Sequence, residues 1–243
     1  MFPGIGTLIN VFAIFIGSVI GVFIGGKFKE NSQKLVTDIL GLITMLGAVG
    51  ALMPLWSSDF ASHFSEGFPL LLILLTMLIG GLLGTCLKIE DRLDTVGIKL
   101  RNLFKASQDS PFVDGFVTAS LLFVIGPLAI LGSVSDGMSQ GIEQLLLKSS
   151  LDFFAALAFA SSLGWGVMAS LIPVGIYQLV WTIIGFFLGN ILEQYQIDAM
   201  TICGGLLLAG ISLRLLNIKK MAVGNMLPAI FLAPLAAILV HSI

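Results

Sequence analysis

Long uncharged apolar runs separated by short polar breaks dominate the chain, and the runs recur every ~20 to 30 residues, which is the period of membrane spans. A hydrocarbon core ~30 Å thick is crossed by about 20 helical residues. Eight runs meet that length approximately: Gly4 to Gly26, Ile39 to Trp56, Phe68 to Leu87, Phe116 to Ser135, Phe153 to Ile172, Val174 to Ile191, Ala199 to Leu213 and Met221 to Val240. They are continuously apolar, whereas the strands of a membrane barrel alternate between lipid and lumen. The fold class expected is therefore all-α: a polytopic helical membrane protein of about eight spans.

The breaks carry the topology. Lys27, Lys29 and Lys34 follow the first run, Lys88, Arg92, Lys99, Arg101 and Lys105 follow the third, and Arg214, Lys219 and Lys220 precede the last. The positive-inside rule puts these three on the cytoplasmic side and both termini outside. The breaks with Asp59, His63 and Glu66, and with Glu193 and Asp198, hold no Lys or Arg and face outward, while Lys148 falls on the wrong side. Between Lys88 and Lys105, Ile89, Leu93, Val96, Ile98, Leu100 and Leu103 gather toward one face, opposite Glu90, Asp91, Arg92, Asp94, Lys99 and Arg101. That pattern predicts an amphipathic helix on the cytoplasmic surface. The linker Ala106 to Pro111 then divides one membrane domain, 1–243, into an N-terminal half, 1–105, and a C-terminal half, 112–243.

Composition agrees with this pattern and excludes several functions. Of 243 residues, 57% are hydrophobic and 11% charged, well under the roughly 25% charged of a soluble domain. The net charge is −2 with no basic stripe, so nucleic acid is not an expected partner. Cys86 and Cys203 lie inside apolar runs and read as small packing residues. The first run lacks a basic leader and continues to full span length, so it reads as a retained helix. No HExxH, P-loop or GxSxG occurs, His63 and His241 sit in a break and at the terminus, and neither an enzyme nor a cofactor is expected.

A faint duplication runs through the glycines. Gly17 and Gly21 end the first run as Gly185 and Gly189 end the sixth, and each precedes an Asp, Asp38 or Asp198, that opens a glycine-rich run. An odd number of spans apart, the two copies would be inverted, a common transporter arrangement with its site between the repeats. Gly-x-x-x-Gly is also frequent wherever membrane helices pack closely, and Gly80 and Gly84 share the pattern, so the glycine faces are open to packing within one chain or between copies in a homo-oligomer.

Chemistry is expected where the apolar pattern breaks at membrane depth, because a polar group there is costly unless paired or wet. Gly126-Pro127 should kink or split the fourth span and free backbone groups to bind ions. Nearby stand Ser133, Ser135 and Asp136, then Lys148-Ser149-Ser150-Leu151-Asp152, where Lys148 and Asp152 share a helical face and can neutralise each other; capping by Ser149 or Asp152 is the alternative. The small residues Ala155 to Gly166 make the fifth span central. Asn10, Gln178, Asn190 and Asn225 extend the candidate lining, and Trp56, Trp165 and Trp181 read as anchors or packing. The expected activity is secondary transport of a small polar or ionic solute, with Asp136 and Asp152 as coupling-ion or proton sites and Ser133, Ser135, Ser150, Asn10, Gln178 and Asn190 among the neutral ligands. A channel and a non-transporting scaffold or accessory subunit are the alternatives.

Four segments, Gly6-Thr7-Leu8-Ile9-Asn10, Ile125-Gly126-Pro127 through Ser133-Val134-Ser135-Asp136-Gly137, Lys148-Ser149-Ser150-Leu151-Asp152 and Asn225-Met226-Leu227-Pro228-Ala229, resemble a bacterial family of multipass inner-membrane proteins of unknown function, the one that includes YqgA and YdfK. The resemblance covers almost the whole chain. It implies a multi-pass protein of the bacterial inner (cytoplasmic) membrane and supplies no activity, substrate or catalytic residue.

Overall fold

The computed structural model describes residues 2–27, 29–65, 67–108, 110–188 and 192–241; Glu66, Asp109 and the 189–191 segment lie outside them. The described residues form helices joined by turns: α1 (Ile5–Gly25), α2 (Glu30–Leu52), α3 (Ser58–Ser62), α4 (Phe68–Cys86), α5 (Ile89–Leu103), α6 (Phe112–Val124), α7 (Pro127–Gly137), α8 (Glu143–Leu163), α9 (Gly166–Ala169), α10 (Leu171–Leu188), α11 (Gln194–Leu215) and α12 (Pro228–His241). Seven stretches are long and apolar enough to cross a membrane, and α6 with α7, bent by 62°, makes an eighth if the pair is one span.

Several boundaries differ from the apolar runs, among them the start of α2, at Glu30 rather than Ile39, and the end of the fifth span, at Leu163 rather than Ile172. The fifth span begins at Glu143 rather than Phe153, so Lys148 and Asp152 lie within α8 and not ahead of it. Its N-cap is Ile142 without a side-chain cap, which excludes capping by Ser149 or Asp152. Likewise α11 starts five residues before Ala199, at Gln194, because Glu193 and Gln196 close a capping box: the Glu193 N–H donates to Gln196 Oε1 at 2.9 Å. A hydropathy window stops at charged residues, while a helix ends only where its backbone loses partners.

The chain gathers into two compact units, 1–40 with 94–191 and 41–93 with 192–243, each drawing residues from both sides of the Ala106 to Pro111 linker. In the first unit, α1 and α8 meet along a glycine seam: a Cβ on Gly17, Gly21 or Gly25 would strike the carbonyl oxygen of Phe153, Leu157 or Ser161 in turn. The contacts climb both helices together, so α1 and α8 run parallel. Between them α2 and α4 are each long enough to cross. Taken as one span, the bent α6–α7 pair makes three candidate crossings along the chain between α1 and α8, which fits their parallel alignment.

In the second unit, Gly80 and Gly84 of α4 lie against the backbone of Ala229 and Asn225, and a clasp fixes the start of α5. Arg214 Nη1 donates to Glu90 Oε1 at 2.7 Å, the Gly224 N–H donates to Glu90 Oε2 at 2.6 Å, and the Glu90 N–H donates to Asn225 Oδ1 at 2.9 Å. Glu90, on the polar face of the amphipathic pattern, is thus buried, whereas Val96, Ile98 and Leu103 of the apolar face are exposed. Glu90→Gln keeps the size of the side chain but replaces one accepting oxygen with an NH2, so either Arg214 or the Gly224 N–H faces a donor while the charge is also lost, and stability should fall by about 3–5 kcal/mol. Thermal unfolding in detergent measures this; an unchanged midpoint would mean that Glu90 does not hold the clasp.

Candidate functional site

Among the described residues of the first unit, the buried charged side chains are Asp136, Lys148 and Asp152. Lys148 and Asp152 stand one turn apart on α8, and Lys148 Nζ donates to Asp152 Oδ2 at 2.5 Å. The same oxygen accepts from Asn10 Nδ2 of α1 at 3.0 Å. The ammonium lies 6.0 Å from the centre of the Phe123 ring, at the end of α6 just before the bend. Asp152 is nine residues from Glu143 and eleven from Leu163, the two ends of α8, and Lys148 lies one turn nearer the start, so both charges fall inside a candidate span, where charge is expensive.

Asp136, near the end of α7, accepts the Gly6 N–H at 3.0 Å through Oδ2. Gly6 belongs to the first turn of α1, whose N–H groups lack helical acceptors, so the carboxylate completes the helix and meets the positive end of its dipole. A cavity of about 100 Å³ opens beside it, lined by Asp136, Ser139, Gly141 and Ile142.

Several polar groups in this unit are buried without a partner. Gln178, fully enclosed in mid-α10, has neither its oxygen nor its nitrogen hydrogen-bonded, and Asn10 Oδ1 and Ser133 Oγ are also unsatisfied. Each such group costs about 1–3 kcal/mol if left dry. Gln178 is level with Asn10: Thr7 Oγ1 and Thr182 Oγ1 lie 3.4 Å apart, Gly175 packs on Val11, and these two contacts bracket Asn10 on α1 and Gln178 on α10.

The structure brings together Asn10 and Asp152, places Gln178 level with Asn10 on α10, and puts Asp136 and Ser133 on α7, which packs on both α8 and α10. It separates others. Ser135 is half-buried and donates to the Gly141 carbonyl at 3.3 Å, closing the turn after α7. Ser150 is exposed and donates to the Leu146 carbonyl at 3.1 Å. Asn225 belongs to the Glu90 clasp of the second unit. Asn190 lies outside the described residues. Gly126 is extended and Pro127 opens α7, as a split helix requires, but the Gly126 N–H is not free: it donates to the Val124 carbonyl at 3.0 Å. Sequence reasoning missed Thr7, Thr182 and the Gly6 N–H as parts of this cluster; a threonine in an apolar run is too common to signal a contact 175 residues away.

Seven or eight candidate spans among the described residues, with a charge pair and an unsatisfied amide buried among them, define a polytopic helical membrane protein. Its residues 5–238 match the family described as "Protein of unknown function (DUF554)", and the chain belongs to that family. It is similar to the uncharacterized protein YqgA of Escherichia coli (strain K12), with 32% identity over 96% of both chains. It is also similar to the uncharacterized membrane protein YdfK of Bacillus subtilis (strain 168), with 28% identity over 98% of this chain and 97% of the relative. No solved structure matches.

Proposed function

We propose that the protein is a small secondary transporter of a polar or ionic solute in the bacterial cytoplasmic membrane, with its site beside the broken α6–α7 span. The observation that carries this reading is the buried group of Lys148, Asp152, Asn10 and Gln178 inside candidate spans with hydrogen-bonding capacity left over. A scaffold has no use for such a group and would be more stable with apolar residues in its place. Helical bundles belong to cytoplasmic membranes as barrels do to outer ones, and two relatives are bacterial. The glycine duplication fits as well: its two copies are α1 and α10, and the candidate site lies between Asn10 of one and Gln178 of the other, where inverted-repeat transporters hold their solutes.

The test is a thermal-shift screen of detergent-purified protein against small metabolites and inorganic ions, repeated on Asp136→Asn and Asp152→Asn, because a ligand that binds only the folded state raises the unfolding temperature. At least one solute should give a saturable rise that either variant loses, and its uptake into proteoliposomes should saturate; flux that does not saturate would identify a channel instead. No shift across the panel, with both variants behaving as wild type, would overturn the proposal in favour of a scaffold.

A further inference from the structure

Among the described residues of the first unit the fully buried charges do not balance. Two carboxylates, Asp136 and Asp152, stand against one ammonium, Lys148. The ammonium is committed to Asp152 Oδ2, and among the described residues the other oxygen of Asp152 has no protein hydrogen bond. Asn10, which touches this carboxylate through its nitrogen, has a buried carbonyl oxygen without a partner. Gln178, level with Asn10 on the facing helix, adds a second unpaired amide.

Excess negative charge surrounded by unused carbonyl and carboxylate oxygens in a buried place is the environment of a cation. Oxygen ligands of this hardness suit alkali and alkaline-earth ions and not thiolate-seeking or imidazole-seeking metals. Among the described residues no three His, Cys, Asp or Glu side chains come together as a metal cluster, and the surplus is a single charge. A monovalent ion matches it. A proton would neutralise one carboxylate, and its O–H could satisfy one amide oxygen but not both, whereas a cation accepts several oxygens at once. We infer that Asp152, Asn10 and Gln178 form a binding site for an alkali cation of sodium's class, with Lys148 as the resident counter-charge and Asp136 supplying the negative field. As a coupling site it rests on the transport reading above; as a binding site it does not.

The experiment is thermal unfolding of the purified full-length protein in choline chloride, with sodium or potassium chloride substituted at constant ionic strength. Wild type should show a saturable rise with one of the two alkali ions, on the order of 5 °C at about a hundredfold excess over the dissociation constant. Asp136→Asn, which can still accept the Gly6 N–H, should need about tenfold more ion. Gln178→Leu is the decisive variant, because it removes a buried amide without breaking an observed hydrogen bond: in choline it should unfold no earlier than wild type, and it should not respond to the ion. Ser150→Ala, on the exposed face, should respond as wild type. Equal midpoints of wild type in sodium, potassium and choline would overturn the inference, as would a rise that survives undiminished in Gln178→Leu. If a metabolite stabilises the protein while no alkali ion does, the cation site falls and the transporter stands; if neither does, both fall.

Discussion

Gly21→Val abolishes the monodisperse folded protein or lowers its unfolding temperature by about 10 °C or more, while Gly47→Ala and Gly81→Ala leave it within a few degrees of wild type. The three glycines look alike in sequence, each inside an apolar span. At Gly21 a Cβ would overlap the Leu157 carbonyl oxygen and lie 3.0 Å from the Ala160 Cβ. A backbone oxygen cannot rotate away, so α1 and α8 must separate along the whole seam through Gly17 and Gly25. Overpacking costs about 1–3 kcal/mol where side chains can yield, and more where they cannot. At Gly47 and Gly81 nothing lies within 4 Å of the added carbon, and alanine there gains about 1 kcal/mol of helix propensity. Size-exclusion chromatography and thermal unfolding of the three variants make the comparison. Equal tolerance at Gly21 and Gly47 would mean that α1 and α8 do not pack as described.

These glycines also mark how far the sequence could be read. The multipass helical class, the amphipathic α5 and the split at Gly126-Pro127 were legible because each is a local pattern of length, period or backbone chemistry. So was the Lys148 and Asp152 pair, whose spacing of four is a property of any helix. That the spaced glycines Gly17, Gly21, Gly80 and Gly84 form packing faces was legible; which helix each meets was not, since that depends on residues far along the chain. The same limit misplaced two polar residues. Glu90 falls on the charged face of α5 and would pass for a solvated side chain, yet it is buried against Arg214, 124 positions away. Asn225 would pass for part of the transport lining, but its oxygen is used by the Glu90 backbone. Local periodicity reports which face of a helix is polar; it does not report which polar face finds a partner.

The buried pair on α8 should behave as a unit. Lys148→Met leaves Asp152 charged with only Asn10 beside it, and Asp152→Asn leaves the ammonium facing Phe123 and a neutral amide. Stranding one member of a buried ion pair costs about 3–5 kcal/mol, because the remaining charge has lost its partner and regained no water. The double variant Lys148→Met with Asp152→Asn removes both charges and can keep the hydrogen bond from Asn10, since the new amide oxygen is still an acceptor. It should recover most of the loss, and the coupling between the two sites should reach about 2–4 kcal/mol. Thermal unfolding of the four proteins in choline chloride measures it, a medium in which no alkali cation stands in for the missing lysine. Additive losses would show that the two charges do not depend on each other in the folded protein. Recovery separates stability from activity: a double variant as stable as wild type but deaf to every ligand that shifts wild type would place the charges in the site's chemistry. The fold itself would then be seen to stand without them, as expected of a charge pair retained inside a candidate span at a cost that packing alone would not require.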